Sequence, residues 1–415
     1  MARDKTRSPE SAGIGLSTPM ILSISAFSGV VYYFSNPKPG SYYDYTFRVA
    51  ENLLRGSIGF AEKPPQWLNE FVPFDGVWYS VFPFGAVITM IPFALLKVGG
   101  LLNDMPSRLI AAMCAGVACI FMLLIARGYK TDRVRSIVTT LGILFGTWTW
   151  ANVTFGGAWQ LALGFALVGE LGAIYFTLID RRPLIAGAFF ALAFGNRTEI
   201  LLTAPIFFWL LRADPADSAV SPQAQTDSWI PRIAGFCVFP FILGISTLIY
   251  NYVRFHSFSD FGYARIPGVL NEPWYEHGIF SPYYIPRQIW EMLFKLWEFR
   301  PGFSLPVPNP FSSSIIISSP FVLFAFRRGS RNKFVKYLCW AAVLVICVVL
   351  WMHGNSGGWQ FGYRYAIAVL PFLFVIMLEN APQKITRLEW AAYGFSFIAN
   401  AYATWLFHWT DYLKP

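Results

Sequence analysis

Charge is what this chain has least of. Only 13% of its 415 residues are Asp, Glu, Lys or Arg, against roughly 25% in soluble domains. Hydrophobic residues make up 55% and aromatic residues 18%. An ordinary soluble protein would have to hide too much apolar surface. The deficit and the repeated apolar runs, many near ~20 residues, instead indicate an integral membrane protein with several helical spans.

Metal-binding and nucleotide-binding patterns are missing as well. The five cysteines, Cys114, Cys119, Cys237, Cys339 and Cys347, all fall in apolar runs. They show neither metal spacing nor a secreted disulfide pattern and read as small packing residues. His256, His277, His353 and His408 show no ligand spacing, so no metal site is assigned. There is no Walker loop and no GxGxxG fingerprint on a strand–helix pair. That argues against a nucleotide-sugar site in a soluble domain. No cofactor is expected, with a divalent metal left open. No short-period repeat and no independently folding soluble domain stand out.

What the chain does have is a net charge of +9. In a soluble protein this would suggest nucleic acid. Here it is better explained by basic cytoplasmic loops, and no nucleic-acid partner is expected. Arg3, Lys5 and Arg7 precede the first apolar run, residues 14–34. The run is longer than a signal core, and "YYFSNPKPG" after it lacks a small-x-small cleavage site. An uncleaved first span with its amino terminus inside is expected.

The basic clusters constrain the crossings. They are Arg127 to Arg135, Arg181 with Arg182, Arg327 to Lys336, and Lys384 with Arg387. Placing all of them inside requires residues 109–126 to be the second span. Residues 81–98, with Pro83 and Pro92, then become an interfacial or half-inserted segment. Residues 36–107 form one long outer loop. Further spans are expected at 136–152, 161–179, 233–252, 311–326, 337–352, 366–378 and 388–409. A pair of short helices is expected at 184–194 and 200–211, with Arg197 and Glu199 of "GNRTE" at its tip facing a cavity. One continuous helix there is the alternative. A second outer loop covers 253–310. The expectation is an all-α polytopic membrane protein with about eleven transmembrane helices and two long extracytoplasmic loops.

One stretch of the first outer loop is unusual. "SYYDYTFRVAENLLRGS", residues 41–57, sets Asp44, Arg48, Glu51 and Arg55 at helical spacing beside Phe47, Ala50 and Leu54. Such a helix can lie along a membrane surface with its acids aimed into a site above the bilayer. It can equally be a solvated helix with internal pairs such as Asp44–Arg48.

The order of features resembles that of the GT-C-fold glycosyltransferases, such as protein O-mannosyltransferases and the lipid A aminoarabinose transferase. An inward amino terminus and one span lead to an acidic residue opening the first outer loop. "RVAENLLRG" then matches the surface helix. "FDGVWYSVFPFGAVITMIP" matches the strip before a juxtamembrane helix. "PSRLIAAMCAG" matches the Arg opening the second span, and "RGYKTDRVR" the basic inner loop. The likeness covers about residues 14–260. It divides the chain into a membrane module (1–252), an extracytoplasmic loop (253–310) and carboxyl-terminal spans (311–415). The family usually carries Asp-Glu at its first acidic position; here Asp44 is followed by Tyr45. Many members also place an acid in the turn after the third span. Here "VTFGGAWQ" has none, and Gln160 is the nearest polar residue.

The resemblance implies inverting transfer of a sugar from a polyprenyl-phosphate donor to a glycan, lipid or protein acceptor at the outer membrane face. Membrane lipids are the other expected partners, and the setting would be the cell envelope. Asp44 is the candidate general base. Arg364 in "GWQFGYRYAI", Arg197, Arg48 and Arg55 are candidates for the leaving phosphate, since Arg stays charged and grips phosphate in a fork. Glu51, Asp75, Gln160, Trp274 and Tyr275 are substrate-binding candidates. Glu170, in mid-span, is expected to pair with Arg197. A transporter or lipid flippase is the alternative class and would show matching helix breaks in two halves. A non-catalytic membrane assembly factor is the third.

Overall fold

The computed structural model describes residues 15–212, 229–382 and 384–413. Arg3, Lys5, Arg7 and most of the inner loop after Arg212 lie outside the described residues. The chain is built almost wholly from helices. α1 (Thr18–Phe34) is followed by the short amphipathic α2 (Tyr45–Leu54) and a hairpin of β1 (Phe71–Phe74) and β2 (Val77–Ser80). Then come α3 (Phe84–Val98), α4 (Ser107–Gly128), α5 (Arg133–Phe145), α6 (Thr149–Phe155), α7 (Ala158–Leu178), α8 (Pro183–Asn196) and α9 (Ala204–Arg212). α10 (Trp229–Phe255) precedes an irregular segment containing α11 (Ile285–Ile289) and α12 (Ile315–Ser318). α13 (Lys333–Met352), α14 (Leu370–Glu379) and α15 (Arg387–Trp409) complete the bundle. Among the described residues, α4, α7, α10 and α13 are long and apolar enough to cross a membrane.

Glycines let the central helices approach closely, as small residues do between membrane helices. A side chain at Gly169 of α7 would press on the α8 backbone at Ala193, and one at Gly187 of α8 on the α10 backbone at Phe236. α10 is thinly covered; 11% of its most apolar stretch is buried.

The expected basic clusters gather at one end of the bundle. Arg135 and Arg327 both grip Glu389 (2.5 and 2.6 Å). Arg331 donates to the carbonyl of Tyr129, and the Tyr129 hydroxyl donates to Glu379 at 2.9 Å. The opposite end carries the loop after α1, the hairpin and the 253–310 segment.

α3 lies across that opposite end rather than along the bundle. Gly85 at its start touches Gly195 at the end of α8, and Lys97 at its far end pairs with Glu51 of α2 at 2.9 Å. The reversal at "GNRTE" is present. The chain turns through extended backbone at Arg197 and a 3-10 helix, Thr198–Thr203. α9 then returns, so that Phe207 packs 5.0 Å from Phe190 of α8.

Three expected spans are more broken than the apolar pattern suggested. Residues 136–152 split at Gly146–Trp148 into α5 and α6, where the Thr147 hydroxyl donates to the carbonyl of Ile143 (2.6 Å) and to Thr149. Residues 366–378 begin with a 3-10 helix, Arg364–Val369, before α14. Residues 311–326 hold only the four-residue α12 and a 3-10 helix, Pro320–Phe326. The cause is local. Ser312, Ser313, Ser314, Ser318 and Ser319 offer hydroxyls that compete for backbone groups, and Pro320 cannot continue a helix. These serines are all buried. Asn400 of α15 donates to the carbonyl of Ser318 at 2.9 Å. Irregular backbone at membrane depth is tolerated only when protein covers it in this way.

Candidate active site

The end opposite the basic clusters is assembled around the turn after α6. Gly156 takes a left-handed conformation (φ 79°), which glycine adopts without a Cβ penalty. The turn then hydrogen-bonds the loop after α1: Gly40 N–H donates to the carbonyl of Phe155 (2.7 Å) and Ala158 N–H to that of Tyr43 (2.9 Å). Trp159 is thereby wedged between Tyr43 and Tyr45, with ring centroids 5.1 and 4.9 Å away. These two tyrosines flank Asp44.

Asp44 occupies the position just before α2 and is half-buried. Arg48, one turn on, grips it with two parallel bonds of 3.1 Å. Burial pushes the Asp44 carboxyl above the usual range; the Arg48 guanidinium and Lys97 pull it back. Glu51 bridges Arg55 (2.6 Å) and Lys97 (2.9 Å). The expected internal pairing is therefore present, and the helix also buries Tyr45, Phe47, Val49 and Ala50 against the protein. Arg48 and Arg55 are both occupied by acids of their own helix, and Arg55 is 64% exposed.

A carboxyl that the sequence does not single out joins this cluster through Trp159. Glu70, the residue before β1, accepts a 2.7 Å hydrogen bond from the Trp159 indole N–H. Burial pushes it up to about 7, against the pull of that bond and of the Arg364 charge. The hairpin sets its place: Val81 N–H donates to the Glu70 carbonyl at 3.1 Å, continuing the β1–β2 ladder. Tyr45, Tyr263 and Tyr275 lie within electrostatic reach of Glu70. Burial raises all three phenols. Tyr263 and Tyr275 share a 2.9 Å hydrogen bond.

Arg364 is buried at 7% exposure. Among the described residues its guanidinium has no carboxylate within ion-pair distance, and its Nε has no hydrogen-bond partner. Its Nη2 reaches the Tyr365 hydroxyl at 3.3 Å, and its backbone N–H donates to Gln360 Oε1 at 2.7 Å. A buried guanidinium without a counter-charge is costly, and an anion bound beside it would offset that cost.

Arg197 meets Arg364 there. Its guanidinium lies 4.4 Å from the centre of the Tyr365 ring, and that of Arg364 5.1 Å. The two arginines are presented in the same way. "FGNRTEI" (194–200) and "FGYRYAI" (361–367) share the pattern F-G-x-R-x-x-I. Each takes extended backbone at or just before the Arg, then a 3-10 helix, then an α-helix with Pro in its first turn. The paired segments are 167 residues apart, outside any short-period repeat. Arg197 is neutralised by Glu199 (2.6 Å); the matching position in the second segment is Ala366. His353, after α13, packs 6.2 Å from Tyr365. Burial holds its imidazole below the usual value, and Arg197 and Arg364 add to that effect.

The other candidates separate. Tyr275 belongs to the cluster. Gln160 is buried beside the turn with an unpaired Oε1. Asp75 is exposed, with φ 48°, at the tip of the β1–β2 turn next to Gly76. That is the Asp-Gly turn favoured in tight hairpins, so the turn role accounts for it. Trp274 is 46% exposed and lines a neighbouring recess. The expected Glu170–Arg197 pair is not formed: Arg197 takes Glu199 two residues along the chain, and both Glu170 oxygens are buried without a hydrogen-bond partner. No cluster of three or more metal-ligating side chains occurs among the described residues.

No protein-family model matches the chain, and no curated protein sequence is significantly similar to it. One solved structure resembles it in outline, the oligosaccharyltransferase of Archaeoglobus fulgidus in its apo form. The TM-score is 0.43 at 13% identity, over 94% of this chain and 55% of that one. The chain thus spans about half the length of that enzyme, and the site is interpreted from its own geometry.

Proposed function

We propose that the protein is a multi-pass membrane glycosyltransferase that moves a sugar from a polyprenyl-phosphate donor to an acceptor on the extracytoplasmic face. The observation that carries this reading is the buried guanidinium of Arg364, free of acids among the described residues, beside a second arginine and within electrostatic reach of Glu70. The positive-inside pattern supports an outer location, because the basic clusters gather at the opposite end.

The chemistry follows from the residues. The acceptor hydroxyl attacks the anomeric carbon, and the bond from that carbon to the phosphate oxygen breaks with its electron pair staying on phosphate. Asp44, oriented by its two bonds to Arg48, takes the acceptor proton. Arg364 and Arg197, which meet at Tyr365, receive the charge growing on the phosphate. Glu70 tunes Arg364: protonated, it leaves the guanidinium free for phosphate; ionised, it competes for it.

The matched breaks at Arg197 and Arg364 also fit the transporter alternative, which calls for paired discontinuities. Their position at one end of the bundle, next to loop carboxyls, favours surface chemistry. Sugar transfer from a labelled polyprenyl phosphate sugar decides between the two. Wild type should transfer, and Asp44→Asn should lose about 10²–10⁴ in rate while remaining folded. Transport without transfer would establish the alternative, and a fully active Asp44→Asn would remove Asp44 as the base.

A further inference from the structure

Next to the Arg364 loop lies a recess of about 220 Å³. Trp274 and Phe311 line it with aromatic surface, at 46% and 50% exposure. Glu291 and Lys295 supply an acceptor and a donor. Neither has an ion-pair partner among the described residues, and the Lys295 ammonium is held by the Ser312 hydroxyl at 3.0 Å. Asn355 adds polar atoms from the loop that also carries His353.

We propose that this recess binds a neutral hexopyranose unit of the acceptor. The inference rests on the transfer reading above and extends it to the second substrate. A pyranose has an apolar C–H face, which suits Trp and Phe surfaces, and a rim of hydroxyls that both donate and accept. Glu291 and Lys295 serve those two needs, and their opposite charges leave no net preference for an anion. The polar lining disfavours a lipid tail. The recess is tied to the phosphate receptor. Gln360 donates to the Phe311 carbonyl at 2.5 Å and accepts from Arg364 N–H at 2.7 Å. A sugar seated here therefore lies beside the arginine that would hold the departing phosphate.

Saturation-transfer NMR on the full chain in detergent, with the methyl glycosides of glucose, mannose, galactose and N-acetylglucosamine as probes, tests this without a donor. At least one glycoside should receive saturation on its ring C–H groups. Binding should weaken tenfold or more in Trp274→Ala and in Glu291→Gln, and persist in Arg364→Ala. Unchanged thermal unfolding of the variants controls for misfolding. No signal with any of the four glycosides, or a signal that survives both recess variants, overturns the proposal. Because no donor is present, failure of the transfer reading leaves this result standing. Conversely, sugar transfer whose acceptor KM is unchanged by Trp274→Ala and Glu291→Gln would remove the recess and leave the transferase.

Discussion

The two ends of the bundle treat buried charge in opposite ways. At the basic-loop end the two buried carboxylates, Glu389 and Glu379, are saturated. Glu389, with a side chain 1% exposed, is gripped by Arg135 and Arg327 and caps the start of α15 through Thr386 N–H at 2.7 Å. Glu379 accepts from Tyr129, Ser330 and the Asn332 backbone. At the other end Glu70 has one indole donor, and Arg364 has no acid within ion-pair reach among the described residues. Saturated networks hold helices in place. Unsaturated ones carry a cost, which the proposed transfer reading assigns to substrate binding.

The comparison can be broken at its stable side. Glu389→Gln strips two guanidiniums of their charge partner. Loss of one member of a buried pair costs about 3–5 kcal/mol, read as a large fall in the denaturant midpoint of the solubilised protein. Arg364→Ala should lower that midpoint far less, because it removes a long 3.3 Å bond to the Tyr365 hydroxyl and no ion pair among the described residues. Equal destabilisation by both substitutions would erase the distinction between the ends.

The unsaturated side can be sharpened by pH. Glu70 is protonated below about 7 and ionised above it. As pH rises through 7, its negative charge should compete for Arg364, so donor KM should rise several-fold in the wild type. Glu70→Gln should flatten that profile. A profile identical in wild type and variant would detach Glu70 from the phosphate receptor. The smallest effect is expected at Arg55, whose pair with Glu51 is 64% exposed on the arginine side. Arg55→Ala should shift stability by less than about 0.5 kcal/mol and leave transfer kinetics unchanged. A large loss of activity would instead return Arg55 to the phosphate-binding set.

Much of this architecture was readable in advance, and the failures have physical causes. Asp44, Arg197 and Arg364 stand out because each is a charge beside an apolar run, where a charge needs a reason. The reversal at "GNRTE" showed in the length of its two flanking helices. Glu70 was hidden because nothing local marks it. It sits in a loop with Glu62, Lys63 and Asp75, and its burial depends on Trp159, 89 residues away. The irregular passage of residues 311–326 was hidden for a similar reason. An apolar run reads alike as an α-helix or a 3-10 path; what decides is the buried serines and their contact with Asn400, 82 residues on. The F-G-x-R-x-x-I pair was visible as letters, but only the meeting of both arginines at Tyr365 gives it meaning.

The most direct test of the central claim is single-turnover transfer from a labelled polyprenyl phosphate sugar by wild type, Arg364→Lys and Arg364→Ala. If Arg364 receives the phosphate, Arg364→Ala should fall about 10²–10³-fold in rate, Arg364→Lys should recover only part of it, and both should remain folded. Full transfer by a stable Arg364→Ala protein would contradict the account.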